Sequence, residues 1–576
     1  MRTTFSRYHA LLACTVLIGF TGQAMAQVVP DSQFGTASPG RAEKDQLNLP
    51  EAKTETLPNI EVKEAAIEGA PAGAENINFT LKDLSLDGVT VYNPGELQAV
   101  YKDKLGQTIS LADLYGIAAD LTRKYRNDGY ILTQIIVPPQ TIETGTARLQ
   151  VIEGYVANVS VQSEKQDSSL DLIRSYASRI KSDGGAVNVK NLEHWMLLIN
   201  DLPGVQARGV LTPSPSATGA ADMVIIVDRK VFDAVVSLDN YGSRYLGPTQ
   251  ATAAASLNSV LGLNEKITAQ FVTTPMGGVN PELAYGGLDY EQPISTWGTV
   301  LKVFGSRIYT DPGFDLEQFE VKGQSDLLGA TISQPIVRSR SFSVNTHATF
   351  DYRNVETTNN IEPKREDNIR ALRVGAGADL LDTLLGVAHT SANFEVAQGL
   401  DVFGASEDGD NTSRPDGDPD FTKLTADIQR LQRITSRVNL LMGVQGQISN
   451  NPLYSTEEFG VGGAGLGRGY DPSEITGDEG VSGKVEVQWN EPVALDTDFI
   501  ENYQLFGFYD IGKVWNDDAT TSTQKVNSLA SAGVGLRLEL PQAINAGATL
   551  AFPLTRDVQT EDDKDTRLLF SVSKRF

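Results

Sequence analysis

Short runs of alternating apolar and polar residues fill the chain from about residue 230 to its C-terminus. In residues 342–352 the even positions are mostly apolar and the odd positions polar, and residues 484–490 alternate with the opposite parity. Successive side chains of a strand lie on opposite faces, so one face of each run suits lipid and the other suits water. A sheet crosses a membrane only when it closes, because lipid offers no partner for unpaired N–H and C=O groups. The pattern therefore predicts a transmembrane β-barrel.

The runs and their spacers indicate the size and orientation of this barrel. About sixteen runs of roughly ten residues lie between residues 230 and 576, an even number, as in bacterial outer-membrane barrels. Tight links at 262–264, 338–340 and 541–543 alternate with long stretches at 353–367, 405–420, 450–480 and 554–566. Short turns of such barrels face the periplasm and long loops face outward. The expected fold is an antiparallel barrel of about 16 strands over residues 230–576.

The N-terminus indicates export from the cytoplasm. Arg2 and Arg7 precede an apolar stretch at 10–20, and Ala24-Met25-Ala26 provides a small-x-small cleavage site. We expect residues 1–26 to be a signal peptide. The single cysteine, Cys14, is removed with it, so the mature chain has no thiol for a disulfide or a metal site.

Residues 27–75 are rich in Pro, Ala, Gly, Glu and Lys and have little periodicity, which predicts a flexible leader or linker. A helix is the alternative for this segment. Pro50, Pro58 and Pro71 interrupt any long helix, and 47–57 is a weak candidate.

Two globular units, 76–153 and 154–229, follow the leader, and each has the order strand, helix, helix, strand, strand. In the first, Ser110 and Asp113 predict a capped helix start, and 130–137 predicts a strand. A free edge of such a sheet can accept an extended peptide as an additional strand. The candidate edge residues are Tyr130, Leu132, Gln134 and Ile136.

Two motifs in the barrel region carry a family resemblance. Gly467-Arg468-Gly469-Tyr470 lies in the longest outer spacer, and Phe508, Asp510 and Gly512 form an F-x-D-x-G pattern on a later strand. With two βααββ units before the barrel, they resemble POTRA domains followed by the barrel of TpsB transporters of two-partner secretion. These are the haemolysin secretion/activation proteins (ShlB/FhaC/HecB) of the BamA/TpsB superfamily. The resemblance implies that the loop at 450–480 folds inward into the barrel. Members of this family often begin with a helix that occupies the pore, which is the alternative that the resemblance implies for the leader 27–75. Gly467 departs from the family's usual aliphatic residue and leaves the Arg-Gly-Tyr core intact.

Parity alone places Asp510 on the lumenal face, because a carboxylate is costly against lipid. A lumenal carboxylate invites a cation, and Arg468 on an inward loop offers a bidentate partner. The predicted loop–barrel latch comprises Arg468, Gly469, Tyr470, Phe508, Asp510 and Gly512. The alternatives are a solvated Arg468, an Asp510 facing only water, and a latch that stabilises the barrel without governing transport.

The C-terminal strand ends with Phe570, Val572 and Phe576 at one parity. A terminal aromatic residue on the lipid face resembles the signal read by the barrel-assembly machinery.

Composition excludes several functions. Net charge is −25 and the acidic runs lie in the long spacers, which argues against nucleic acid as a partner. The stretch 507–514 resembles a phosphate-binding loop, but Val514 stands where Ser or Thr would hold Mg²⁺. The histidines lack zinc-site spacing. We expect no cofactor, metal or enzymatic step, and a solvated acidic loop at 405–420 with Ca²⁺ binding as the alternative.

The resemblance implies an outer-membrane transporter with periplasmic POTRA domains. It would recognise an unfolded secreted partner of the TpsA type through those domains and export it to the cell surface or medium without hydrolysing nucleotide. Outer-membrane lipids, including lipopolysaccharide, and the barrel-assembly machinery are further expected partners, and we expect a monomer. A BamA-like insertase and a passive porin or receptor barrel are the alternatives.

Overall fold

A computed structural model describes residues 37–47, 59–62, 69–164, 168–181, 185–215, 217–275, 281–407, 409–492, 499–517 and 525–576. The predicted signal peptide, 1–26, lies outside these residues.

Two segments of the leader have regular structure, which differs from the expected flexible linker. Helix α1 spans Pro39–Leu47 and strand β1 spans Asn59–Val62. Pro39 begins the helix, where its missing N–H costs no hydrogen bond. The weak helix candidate at 47–57 lies, apart from Leu47, outside the described residues.

The first α/β unit packs its helices on a small sheet. Its elements are β2 Asn78–Thr80, β3 Asp83–Asp87, α2 Pro94–Tyr101, β4 Thr108–Ser110, α3 Leu111–Asn127, β5 Gln134–Ile136 and β6 Thr146–Ile152. The sheet order is β3-β6-β5, and β2 pairs with β4 separately. The predicted cap of α3 is confirmed, since Ser110 Oγ accepts from Asp113 N at 3.1 Å and the Asp113 carboxylate accepts from Ser110 N at 2.9 Å. The strand predicted at 130–137 is shorter than expected.

The second α/β unit repeats this design and includes the leader strand. Its elements are β7 Tyr155–Ser163, α4 Leu170–Ser178, α5 Val189–Asn200, β8 Val205–Pro213 and β9 Ala220–Arg229. The sheet order is β1-β8-β9-β7, with β1 parallel to β8. Ile173, Leu192, Met196 and Ile225 are fully buried in its core.

The barrel begins two residues after β9. Its strands are β10 Phe232–Asp239, β11 Gln250–Asn258, β12 Lys266–Thr273, β13 Leu283–Pro293, β14 Val300–Thr310, β15 Lys322–Arg338, β16 Phe342–Thr358, β17 Arg365–Asp382, β18 Ala388–Gly399, β19 Thr422–Arg433, β20 Val438–Ser449, β23 Glu479–Pro492, β24 Asn502–Trp515, β25 Val526–Leu540, β26 Ile544–Pro553 and β27 Arg567–Arg575. The hairpin of β21 Phe459–Val461 and β22 Ile475–Gly477 lies in the loop between β20 and β23.

Pairing of β10 with β27 closes the sheet, so the predicted barrel of 16 antiparallel strands is confirmed. Alternate apolar side chains face outward, as Leu288, Ile332 and Val534 do. The long spacer expected at 353–367 is wrong in extent, because β16 continues to Thr358 and β17 begins at Arg365. Strands β16 and β17 remain hydrogen-bonded to each other beyond the part of the barrel that lies in lipid, because each supplies N–H and C=O partners to the other.

Periplasmic turns of the barrel contact the second unit. Arg338 Nε and Nη2 donate to Asp201 at 2.9 and 2.7 Å, and Arg340 pairs with Glu193 at 3.1 Å. The Arg179 guanidinium lies 4.0 Å from the Trp297 ring centroid. These contacts hold the second unit at the barrel mouth.

Candidate functional site: the loop latch and the lumenal helix

Arg468 and Asp510 form a paired hydrogen bond inside the barrel. Arg468 Nε donates to Asp510 Oδ2 at 3.0 Å and Nη2 donates to Oδ1 at 2.9 Å. The backbone N–H groups of Gly467 and Arg468 also donate to Oδ2, each at 3.1 Å. The Asp510 side chain is 0 % exposed. Four donors thus compensate a fully buried carboxylate and fix the loop to β24.

A second carboxylate completes the latch. Arg468 Nη1 donates to Glu486 Oε2 on the neighbouring strand β23, and Glu486 Oε1 accepts from Arg537 Nη1 at 2.7 Å. Sequence patterns alone did not identify Glu486 and Arg537 as part of the latch. The sequence does contain an indication for Glu486, because the apolar–polar alternation of residues 484–490 places Glu486 on the polar face of its strand.

Aromatic rings stack against the guanidinium groups of the two latch arginines. The Arg468 guanidinium carbon lies 3.5 Å from the Phe508 ring centroid, and that of Arg537 lies 3.9 Å from the Phe506 centroid. Both rings are almost completely buried. A guanidinium stacked on an aromatic face keeps its in-plane N–H groups free for carboxylates.

The glycines allow the loop to approach the wall. Gly467 has φ of +95°, a left-handed conformation that an aliphatic residue rarely adopts and that glycine takes readily. A Cβ on Gly469 would lie 2.9 Å from Pro553 N and from Ser531 Cβ. A Cβ on Gly512 would lie 2.5 Å from Val461 Cγ1 of the loop hairpin.

Tyr470 attaches the loop to the next part of the wall. Its hydroxyl donates to the Ala530 carbonyl at 3.2 Å and accepts from the backbone N–H groups of Thr555 and Arg556, each at 3.3 Å. The structure therefore brings together all six residues predicted for the latch.

Helix α1 lies in the lumen and is held by charged contacts. Glu43 accepts from Arg353 Nη1 at 2.6 Å, from Ser306 Oγ at 2.5 Å and from Ser325 Oγ at 2.7 Å, and it is completely buried. Arg41 Nη2 pairs with Glu458 at 2.7 Å.

The latch loop contributes much of this contact. Arg41 also donates to the Ser455 carbonyl, and Lys44 lies 3.4 Å from Glu457. A Cβ on Gly40 would lie 2.4 Å from Thr456 Oγ1, so the helix backbone touches the loop directly. Sequence patterns did not predict this helix, because it has few apolar residues and the residues that contact it lie far away in the sequence. Pro39 was the one local indication of a helix start.

Only two of the four residues predicted to form a peptide-binding edge lie on an edge strand. Gln134 and Ile136 belong to β5, which is an edge strand. Tyr130 instead packs with Tyr92 and Tyr125, at centroid distances of 6.2 and 6.1 Å. Leu132 packs against the core of the second unit. Neither side chain therefore belongs to an edge strand.

The residues of the predicted assembly signal face outward. Phe570 and Val572 on the last strand and Phe576 directly after it are all exposed. Within the described residues, no group of three or more His, Cys, Asp or Glu side chains is arranged to hold a metal ion. In the described part of the chain, no helix has both the length and the apolar character needed to cross a membrane.

A closed barrel with an inward loop and a lumenal helix, behind periplasmic α/β units, defines an outer-membrane transporter. The chain belongs to the haemolysin secretion/activation protein family (ShlB/FhaC/HecB), whose model matches residues 223–538. A ShlB-type POTRA model matches residues 79–154, which is the first unit. The chain is thus a TpsB transporter of two-partner secretion, located in the outer membrane with its POTRA region in the periplasm.

Curated relatives agree with this assignment. The heme/hemopexin transporter protein HuxB of Haemophilus influenzae (strain 86-028NP) is 25% identical over 81% of this chain and 82% of its own length. The outer membrane transporter CdiB of Dickeya dadantii is 21% identical over 95% of this chain and 96% of its own length.

Solved structures share the fold. CdiB from Escherichia coli matches with a TM-score of 0.68 at 17% identity, covering 96% of this chain and 100% of that chain. BamA from Haemophilus ducreyi lacking POTRA domains 1–3 matches with a TM-score of 0.52 at 14% identity, covering 86% of this chain and 100% of that chain.

Proposed function

We propose that this chain exports one secreted partner protein in an unfolded state, from the periplasm through its barrel to the cell surface or medium. The supporting observation is the lumen itself, which is filled by α1 and by the latch loop, both held by polar contacts to the wall. A filled lumen of this kind suits a gated conduit.

The periplasmic units are the proposed receptor. Each has a sheet with edge strands, and an extended segment can bind such an edge through main-chain hydrogen bonds with little demand on sequence. This mode suits an unfolded cargo. We propose that the second unit is also a POTRA domain, because it repeats the element order of the first.

Export needs no nucleotide in this proposal. Folding of the cargo outside the cell biases its movement outward, so no catalytic residue is required. We propose that the chain acts as a monomer in lipopolysaccharide-containing membrane and reaches it through the barrel-assembly machinery. The outward-facing C-terminal residues Phe570, Val572 and Phe576 would serve as its assembly signal.

The insertase alternative has weaker support. BamA shares the fold at 14% identity, and the family model that covers more than half of this chain describes secretion proteins. A passive porin would leave the periplasmic units without a role.

Deletion of residues 76–229 tests the proposal. The chain would be co-expressed with a large secreted protein encoded beside its gene, and that protein would be measured in the medium. We expect the full chain to export it and the deletion variant to insert in the membrane without exporting it. Undiminished export by the variant would contradict the receptor role, and no export by the full chain would contradict the transport role for that partner.

A further inference from the structure

Residues 402–404 begin the loop between β18 and β19 and lie against the outside of the barrel. Arg373 on β17 faces the lumen, where its Nη2 pairs with Glu457 of the latch loop at 3.0 Å. Successive side chains of a strand point to opposite faces, so Arg370 and Leu372 face outward. Leu372 is exposed there, whereas Arg370 is covered by residues 402–404. This part of the loop therefore returns along the outer wall.

Arg370 holds the backbone of this segment. Its Nε donates to the Phe403 carbonyl at 3.3 Å and its Nη2 donates to the Gly404 carbonyl at 3.4 Å. Its Nη1 donates to two carbonyls of β16 and β17, at 2.8 and 2.9 Å, and its guanidinium carbon lies 3.4 Å from the Tyr352 ring centroid. A cation on the lipid-facing side of a barrel is costly unless its N–H groups are satisfied. The four carbonyls provide that compensation, and they fix the segment to the wall.

Phe403 is held with its ring exposed. Its φ is +52°, a left-handed conformation that a bulky residue adopts rarely and that persists only where surrounding contacts fix it. The ring is 74 % exposed and makes an edge-to-face contact with Phe350 on β16, at a centroid distance of 6.2 Å. Val402 beside it is also exposed. The contacts of Arg370 thus keep two neighbouring apolar side chains uncovered by protein.

The surface that these side chains extend is the lipid-facing wall. Phe350 pairs across the strands with Leu372, and Val374, the next outward residue of β17, is exposed on the same face. The turn between β17 and β18 is tight, so the long loop after β18 lies on the extracellular side. Outer-membrane barrels carry aromatic girdles where the apolar band meets each interface. Phe403 therefore lies at the level of the outer leaflet, and acyl chains are the occupant that continues the contact.

The other half of the same loop contacts the latch. Arg414 Nη2 donates to Asp478 at 3.0 Å and its Nη1 donates to Glu458 at 3.1 Å. Glu458 also pairs with Arg41 of helix α1. One loop therefore connects the outer wall to the ion pairs that hold α1 in the lumen.

We propose that the β18–β19 loop is a membrane anchor. Val402 and Phe403 insert between the acyl chains of the outer leaflet, and Arg370 positions them. Because Arg414 binds the latch loop, the anchor also restrains α1. The restraint of α1 rests on the proposed function of a gated conduit, whereas the lipid contact does not, and its test needs no secreted partner.

A fluorescent label at residue 403 tests the lipid contact. Phe403→Cys is labelled in a mature chain predicted to have no other cysteine, and the protein is placed in phosphatidylcholine vesicles with or without bromine on the acyl chains. Bromine quenches a fluorophore that it contacts. Val374→Cys is the lipid-facing reference, and Asp416→Cys, exposed in the same loop, is the aqueous control. We expect the label at 403 to be quenched as strongly as the label at 374, and the label at 416 to be unaffected.

Two results would overturn the anchor. Equal and weak quenching at 403 and 416 would place Phe403 in water. Protection of the 403 label from aqueous iodide without quenching by bromine would indicate a protein occupant, such as a second copy of the chain.

Removal of Arg370 tests its positioning role. In Arg370→Ala the two loop carbonyls lose their donor, so we expect the label at 403 to lose most of its quenching by bromine. Arg437→Ala, which removes an arginine from a periplasmic turn, is the matched control and should keep the quenching. Resistance of the unheated barrel to detergent verifies folding of both variants. Retained quenching in the folded Arg370→Ala variant would exclude the role of Arg370.

Channel recordings test the restraint of α1. Phe403→Ser removes the ring of the anchor, and Val374→Ser removes an apolar lipid contact from the wall alone. We expect Phe403→Ser to open about fivefold more often in planar bilayers, the lower end of the range for coupled sites, and Val374→Ser to open like the wild type. Equal opening of the two variants would overturn the restraint, whatever the label at 403 shows.

Discussion

The guanidinium of Arg468 and the carboxylate of Asp510 face each other with two parallel N–H···O contacts of 3.0 and 2.9 Å inside the barrel. Asp510 belongs to the wall strand β24. The arginine belongs to a loop that enters from between β20 and β23. The contact therefore determines where an otherwise external loop lies.

Removal of the carboxylate should release the loop. In Asp510→Ala, the N–H groups of Gly467 and Arg468 lose their acceptor while Arg468 keeps Glu486. Breaking a buried ion pair costs roughly 3–5 kcal/mol. We expect lower thermal stability, greater single-channel conductance and reduced export. Asp326→Ala, which breaks an exposed pair with Arg307, is the control. Conductance and export like the wild type's in Asp510→Ala would contradict the latch.

A methyl group at Gly469 should displace the same loop by a different route. The new Cβ would lie 2.9 Å from backbone and side-chain atoms of the wall, closer than real Cβ contacts. We expect Gly469→Ala to make the loop accessible to added protease and to reduce export. Gly465→Ala is the matched control, because nothing lies within 4 Å of its Cβ. Equal protection of the two variants would argue against close packing of the loop.

Loss of Glu43 should loosen the lumenal helix. Its carboxylate accepts from Arg353, Ser306 and Ser325, so Glu43→Ala leaves a buried cation without its anion. We expect more frequent channel opening in planar bilayers. Asp289→Ala removes another carboxylate, one paired with Lys302, and should leave the opening frequency unchanged. Similar traces from both variants would show that helix α1 does not limit ion flow.

The helix cap in the first unit should depend on pH. Hydrogen bonds from the Ser110 backbone N–H and hydroxyl hold the pKa of Asp113 below its ordinary value. The stabilisation is present above the unfolded-state pKa near 3.8 and is lost as pH falls through the lower folded-state pKa. We expect the protection factors of the amides at the start of α3 to decrease when the pH falls below about 4. Asp113→Asn should make these protection factors independent of pH in that range, and an unchanged pH profile would exclude Asp113 as the titrating group.

The terminal aromatic residue should matter for assembly more than for folded stability. Phe576 has an exposed ring on the outer face, so Phe576→Ala removes little packing within the protein. We expect less barrel in the outer membrane and unchanged heat stability of the fraction that arrives. Leu568→Ala, at the same parity and equally exposed, is the control. Equal membrane levels of the two variants would contradict an assembly role for Phe576.

Local patterns predicted much of this architecture. The alternation in residues 484–490 and the parity of Asp510 depend only on the two-residue repeat of a strand, and so they identified the lumenal face correctly. Ser110 and Asp113 marked the start of α3 because a capping box involves neighbours three residues apart. Glu486 was on the expected face, but its role depends on Arg468 and Arg537, which lie on other elements.

The sequence by itself determined the strand period, the barrel size, the order of the domains and the two motifs of the latch, because each is encoded by residues close together in the chain. Only the tertiary structure decided that the leader supplies a lumenal helix and an additional strand. Helix α1 is stabilised by Arg353, Glu458 and other groups about three hundred residues or more away, and β1 by the edge of β8. A short segment with few apolar residues forms such structure only when distant partners satisfy its charges and its backbone.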